Sequence, residues 1–106
     1  MLQVVICNCP STASGELGRR LVDERLAACV NILPGVRSIY RWEGKVIEDE
    51  EETLLIKTAD DRLNELQERI RALHPYDIPE IIALTPTAAL AEYVDWVQEQ
   101  TRDESP

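Results

Sequence analysis

No stretch of this sequence approaches the roughly 20 apolar residues that a membrane-spanning helix requires. The opening Met1-Leu2-Gln3-Val4-Val5-Ile6 lacks the basic lead and long apolar segment of a signal peptide. The chain is therefore expected to stay in the cytoplasm, away from membranes. Cysteine is scarce, and the 3 present cannot all pair within the chain, which fits reduced thiols in that compartment. Basic side chains are also in deficit, 11 Lys and Arg against 20 Asp and Glu, for a net charge of -9. That sign repels nucleic acid and anionic membrane and permits attraction of cations. There is no glycine-rich phosphate loop and no serine in a G-x-S-x-G elbow. The single histidine, His74, has no obvious nucleophile or orienting acid near it in sequence. Nothing recommends an enzyme, and no organic cofactor is expected.

What is present fits one folded domain over residues 1–106, with 44% apolar and 29% charged residues. Leu2 to Cys7 is a short, nearly all-apolar run, suited to a strand buried on both faces. Pro10-Ser11-Thr12 stops it and offers hydroxyls to cap a helix. From about Ala13 to Ala28 the apolar positions Leu17, Leu21, Val22 and Leu26 line one side of that helix. Arg25 falls inside the apolar arc, with three readings open: cover by a partner chain, pairing with an acid, or snorkelling. Cys29 to Ile32 reads as a second strand, interrupted by Leu33-Pro34-Gly35 as at a bulge and resumed from Val36 to Trp42. Glu43-Gly44 is a hairpin turn, and Lys45 to Thr58 a long returning strand.

Leu63, Leu66, Ile70 and Leu73 mark a second helix from about Asp60 to Leu73, which His74-Pro75 ends. Ile81 to Leu84 is a fourth strand, and Leu90, Tyr93, Val94 and Val97 give a terminal helix. Arg102 to Pro106 is polar and expected to fray. The order β-α-β-β-α-β plus one helix is the ferredoxin-like α+β plan, with both main helices on one sheet face and the other bare. The bare face and the long ribbon of strands two and three both need cover, so association is expected.

Two groups of residues invite chemistry. Cys7 and Cys9, two apart on a strand, point to the same face. Together with Cys29 and His74 they offer thiolate and imidazole, ligands for copper or zinc. The spacing is no zinc-finger pattern, and the competing reading is that these cysteines are small buried hydrophobes. The run Glu48-Asp49-Glu50-Glu51-Glu52 carries oxygen ligands, but alternation sends neighbours to opposite faces. A solvated edge that discourages aggregation is the better account of it.

The segments Glu24-Arg25-Leu26-Ala27-Ala28-Cys29-Val30-Asn31-Ile32-Leu33-Pro34-Gly35-Val36, Trp42-Glu43-Gly44-Lys45, Ile56-Lys57-Thr58 and His74-Pro75-Tyr76-Asp77-Ile78-Pro79-Glu80 resemble the signature of CutA divalent-cation tolerance proteins. The resemblance implies a homotrimer packed through edge strands, PII-like in fold, with copper or another divalent cation as ligand. It places metal ligands at Cys7 and His74, with Cys29 as core, redox-active or a further ligand. Leu73 stands where some relatives carry a second histidine. A second implied reading is a PII-like signalling or scaffold trimer that binds a small ligand in clefts between subunits. Tyr40, Trp42, Lys57, His74 and Tyr76 are the residues expected to line such a cleft.

Overall fold

The computed structural model describes residues 1–104, so Ser105 and Pro106, the end of the tail expected to fray, lie outside the described residues. Along Leu2–Cys9 (β1) fully buried and half-buried side chains alternate, as a strand with two unlike faces requires. This strand lies inside the sheet. It pairs antiparallel with Lys45–Ala59 (β3) on one side and Ile82–Leu84 (β4) on the other. Cys29–Trp42 (β2) pairs with β3, giving the order β2-β3-β1-β4. Ser11–Asp23 (α1) and Leu63–Leu73 (α2), the latter entered through a single 3₁₀ turn at Asp60–Arg62, cover one face. With Ala91–Gln100 (α3) added, this is the ferredoxin-like α+β arrangement.

The core lies between that face and the two helices. Val5, Cys7 and Cys9 of β1 meet Leu54 and Ile56 of β3, Leu17 and Leu21 of α1, and Leu66 and Ile70 of α2. Each large aliphatic side chain buried there contributes about 1.5–3 kcal/mol. The expectation that β1 is buried on both faces is corrected, because Val4, Ile6 and Asn8 on the far face are half-buried. That face is not wholly bare either. At one end α3 seats Val97, Tyr93 and Val94 against Leu2 and Ala28. The rest stays open, with Leu33 of β2 and Ile82 and Leu84 of β4 exposed on it.

Two further corrections concern α1. Its N-terminus is not capped by a hydroxyl. Pro10 is the cap residue, and its carbonyl accepts the N–H groups of Ala13 and Ser14 at 2.9 and 3.2 Å. Ser11 is already helical. The helix also stops at Asp23, five residues short of Ala28, because Arg25 takes a left-handed backbone at φ 59. The N–H groups of Leu26 and Ala27 then turn back to the Leu21 carbonyl at 3.0 and 3.1 Å. Arg25 thus leaves the apolar arc. Its guanidinium donates to the Gln100 carbonyl at 3.2 Å and pairs with Glu104 at 3.3 Å, so the acid partner is the reading that holds. Asp103 of the same tail pairs with buried Arg62 at 3.6 Å.

The ribbon is built as its residues require. The β2–β3 register shifts between Leu33 and Val36, where Pro34 can donate no ladder hydrogen bond. Glu43 and Gly44 take φ of 51 and 80, the paired positive angles of a two-residue hairpin turn. Beyond the bulge the ribbon extends past the helices, leaving Ile39, Trp42 and Val46 exposed.

Candidate functional site

Pro75 forces the residue before it out of the helix, so His74 leaves α2 with extended backbone and swings its ring over the end of β1. The imidazole is buried, with Nε2 2.8 Å from the Asn8 carbonyl and Nδ1 accepting the Tyr76 N–H at 3.1 Å. With Nδ1 accepting, Nε2 is the nitrogen that donates to the Asn8 carbonyl. Tyr76 packs on it with ring centroids 4.7 Å apart. The Tyr76 hydroxyl reaches on to donate to Glu51 Oε2 at 2.9 Å.

Glu51 is only 7% exposed and stands on β3 opposite Val36 of β2, one residue beyond the last β1–β3 pair, Cys9 with Glu52. Tyr40 and Trp42 stand two apart on β2, so both rings project from one side of the ribbon. Tyr40 donates its hydroxyl to the Asp49 carboxylate. Between these rings and the segment 75–80 lies an open cleft of about 730 Å³, lined also by Asn8, Asp77 and Glu80. Burial, then the Glu51 hydrogen bond, pushes the Tyr76 phenol well above its ordinary range, and the bond to Asp49 raises Tyr40. Both phenols stay un-ionised at neutral pH. A volume of this size suits a small molecule rather than a bare ion.

Residues 3–100 match the family model described as CutA1 divalent ion tolerance protein. This chain belongs to that family. The divalent-cation tolerance protein CutA of Thermus thermophilus is 50% identical over 102 residues, covering 95% of this chain and 99% of that protein. Its solved structure superposes with a TM-score of 0.92 at 48% identity, over 96% of this chain and 100% of the other. The chloroplastic CutA of Arabidopsis thaliana is 46% identical over 101 residues, 94% of this chain but 56% of its own length. A structure described as a PII-like protein CutA, from Nostoc, matches at TM-score 0.91 and 37% identity, over 94% and 97% of the two chains.

Within this CutA fold the residues expected to bind separate into two groups. Tyr40, Trp42 and Tyr76 line the cleft, and His74 lies directly behind Tyr76. Lys57 does not join them. It stands opposite Val4 and Cys29 on the open sheet face and donates to the Asn31 side chain. Cys7 and Cys9 share the helix-covered face, as the two-residue spacing required, and both are fully buried. Burial pushes the Cys7 thiol up to about 12, helped by Cys9, Glu80 and Glu51. It raises Cys9 to about 11, with Glu52 and Glu51 adding. At pH 7 the Cys7 thiol therefore keeps its proton. Cys29 pairs with Lys57, and Lys57 with Val4, so Cys29 faces away from Cys7 across the sheet. It contacts Tyr93 instead, whose phenol is raised by burial and by that thiol. Among the described residues no group of three or more His, Cys, Asp or Glu is arranged to hold a metal ion.

Asn8, Glu51, Asp77 and Glu80 are cleft residues that sequence reasoning did not single out. The acidic run is only partly the solvated edge expected. Glu51 is buried under Tyr76, Glu52 accepts from Ser14, Asp49 from Tyr40, and Glu48 pairs with Arg37 at 2.9 Å. Strand phase gave no signal for Glu51: it shares its side of β3 with half-buried Thr53 and Leu55, not with buried Leu54 and Ile56.

Proposed function

We propose that this CutA-family chain acts in the cytoplasm as a homotrimer that binds a small molecule in the cleft between ribbon and segment 75–80, and serves divalent-cation tolerance through that binding rather than through catalysis. One observation carries this reading: three aromatic side chains and a nine-tenths-buried carboxylate, Glu51, converge on one cavity of about 730 Å³. Apolar walls with few fixed polar groups are the ordinary make-up of a ligand site. The trimer is favoured by the open sheet face, where Leu33, Ile82 and Leu84 stay exposed. No helix among the described residues is long and apolar enough to cross a membrane.

Copper binding at Cys7 and His74 is a second reading, favoured by their shared approach to the Asn8 carbonyl. The donor set does not fit a four-coordinate zinc or copper(II) ion, since Cys29 lies on the far face and the Cys7 thiol holds its proton tightly. Two soft donors fit copper(I) alone. Calorimetric titration of reduced protein separates the readings. Cys7→Ser and His74→Ala should abolish copper(I) uptake if the metal reading holds, and Trp42→Ala and Glu51→Gln should leave it untouched. Copper(I) uptake unmoved by all four variants would remove the metal site, and the cleft would stand or fall on its own ligands.

A further inference from the structure

We infer that the cleft takes a small organic cation, an alkylammonium or guanidinium group seated on the rings of Trp42 and Tyr40 with its charge toward the Glu51 carboxylate. The inference rests on the cleft being a binding site, as proposed above, and adds the chemical class of the ligand. The lining supplies three carboxylates, Glu51, Asp77 and Glu80, and no Lys or Arg among the described residues that form it. An anionic ligand would meet only like charge there. A hard metal cation needs a cage of oxygen ligands, and among the described residues no group of three or more His, Cys, Asp or Glu is arranged to form one.

An organic cation uses both kinds of wall. Aromatic faces attract a cation placed within about 6 Å of the ring centroid, tryptophan most strongly. Two of the rings are fixed in advance, because each phenol donates its proton to a carboxylate, Tyr40 to Asp49 and Tyr76 to Glu51. The hydroxyls are thereby occupied, and the faces and edges of the rings are left for the ligand. Glu51 is well placed to act as counter-charge. It is 7% exposed, its Oε2 is held by Tyr76, and no further hydrogen bond to it occurs among the described residues. A carboxylate so desolvated attracts a nearby cation more strongly than a surface acid does. The net charge of -9 brings cations toward the protein from a distance.

Three probes of one shape test this: choline, its uncharged isostere 3,3-dimethylbutan-1-ol, and the anion 3,3-dimethylbutanoate. The full chain is used in its own assembly state, carrying Trp96→Phe so that Trp42 is the one remaining indole. Indole fluorescence reports binding. Choline should bind at least about tenfold more tightly than the neutral isostere, the anion not at all, and added salt should weaken choline alone. Glu51→Gln keeps an acceptor for Tyr76 while removing the charge, and should weaken choline several-fold without moving the neutral probe. Asp77→Asn, on an exposed residue, gives a second charge removal that does not touch the fold. Equal binding of all three probes would overturn the cation and leave the cleft as a site. Tighter binding of the anion would overturn the sign of charge. No binding by any probe would remove both the cation and the cleft reading on which it stands.

Discussion

The Cys7 thiol and the His74 imidazole converge on a single acceptor, the Asn8 carbonyl, with Sγ at 3.9 Å and Nε2 at 2.8 Å. The imidazole bond is the strong one, and it ties the end of α2 to the end of β1. His74→Ala should therefore destabilise the fold by about 1–3 kcal/mol, the cost of leaving a buried carbonyl without its donor. Urea denaturation at pH 7 measures it. An unchanged midpoint would show that His74 is not structural.

Leu73→His tests the missing histidine of some relatives. Leu73 is half-buried and packs against the main core. Placing an imidazole there should cost roughly 1–3 kcal/mol through an unpaired polar group. Tighter copper(I) binding despite that loss would support the metal reading. Lower stability with no gain in copper affinity is the outcome expected from the cleft reading.

Tyr76→Phe deletes one hydroxyl and leaves the buried Glu51 without its hydrogen bond. A loss of about 1–3 kcal/mol is expected, and each kcal/mol lowers the melting temperature of a chain this size by about 4–8 °C. Adding Glu51→Gln to Tyr76→Phe should recover part of the loss, because a neutral amide is cheaper to bury than a carboxylate. Scanning calorimetry of the two variants decides it. No recovery in the double variant would mean that the carboxylate charge is not what burial penalises here.

Thiol chemistry should follow burial. The thiolate is the reactive form, and Cys7 and Cys9 hold their protons to about 12 and about 11 against 9.0 for a free thiol. At pH 8 both should resist a thiol reagent until the chain unfolds. The same shifts set a pH dependence. Between pH 9 and 12 the unfolded chain loses protons that the folded chain keeps, so stability falls as pH rises through that window. Cys7→Ala should flatten the decline. Rapid labelling of Cys7 in the folded protein at pH 8 would contradict this account.

Assembly is tested on the open face. Sedimentation equilibrium should return three times the mass of one chain. Ile82→Asp, on an exposed position of β4, should dissociate the assembly by burying a charge at the contact. A wild-type monomer at micromolar concentration would remove the trimer, and an intact trimer in the variant would move the contact elsewhere.

The elements themselves were legible in the residues. Apolar spacing announced α2, the Pro34-Gly35 interruption announced the register shift, and Glu43-Gly44 announced the turn, because each depends on local backbone chemistry. Local pattern also placed Cys7 and Cys9 on one face. It failed where distant segments decide. The end of α1 was misplaced because Leu26 and Ala27 keep the helical period after the backbone has turned at Arg25. Arg25 finds its partners in the tail, and that pairing depends on where the chain ends pack. The site divided in the same way. Aromatic residues in family motifs pointed to Tyr40, Trp42 and Tyr76, but a run of five acids gave no sign that Glu51 alone would be buried. That was decided by the strand register and by Tyr76 arriving from beyond α2. Cys29 and Lys57 were separated from the other candidates by the pairing Cys29–Lys57–Val4, which sets both on the far face of the sheet. Sequence fixes which residues alternate along a strand; only the pairing of strands fixes which alternating sets share a face.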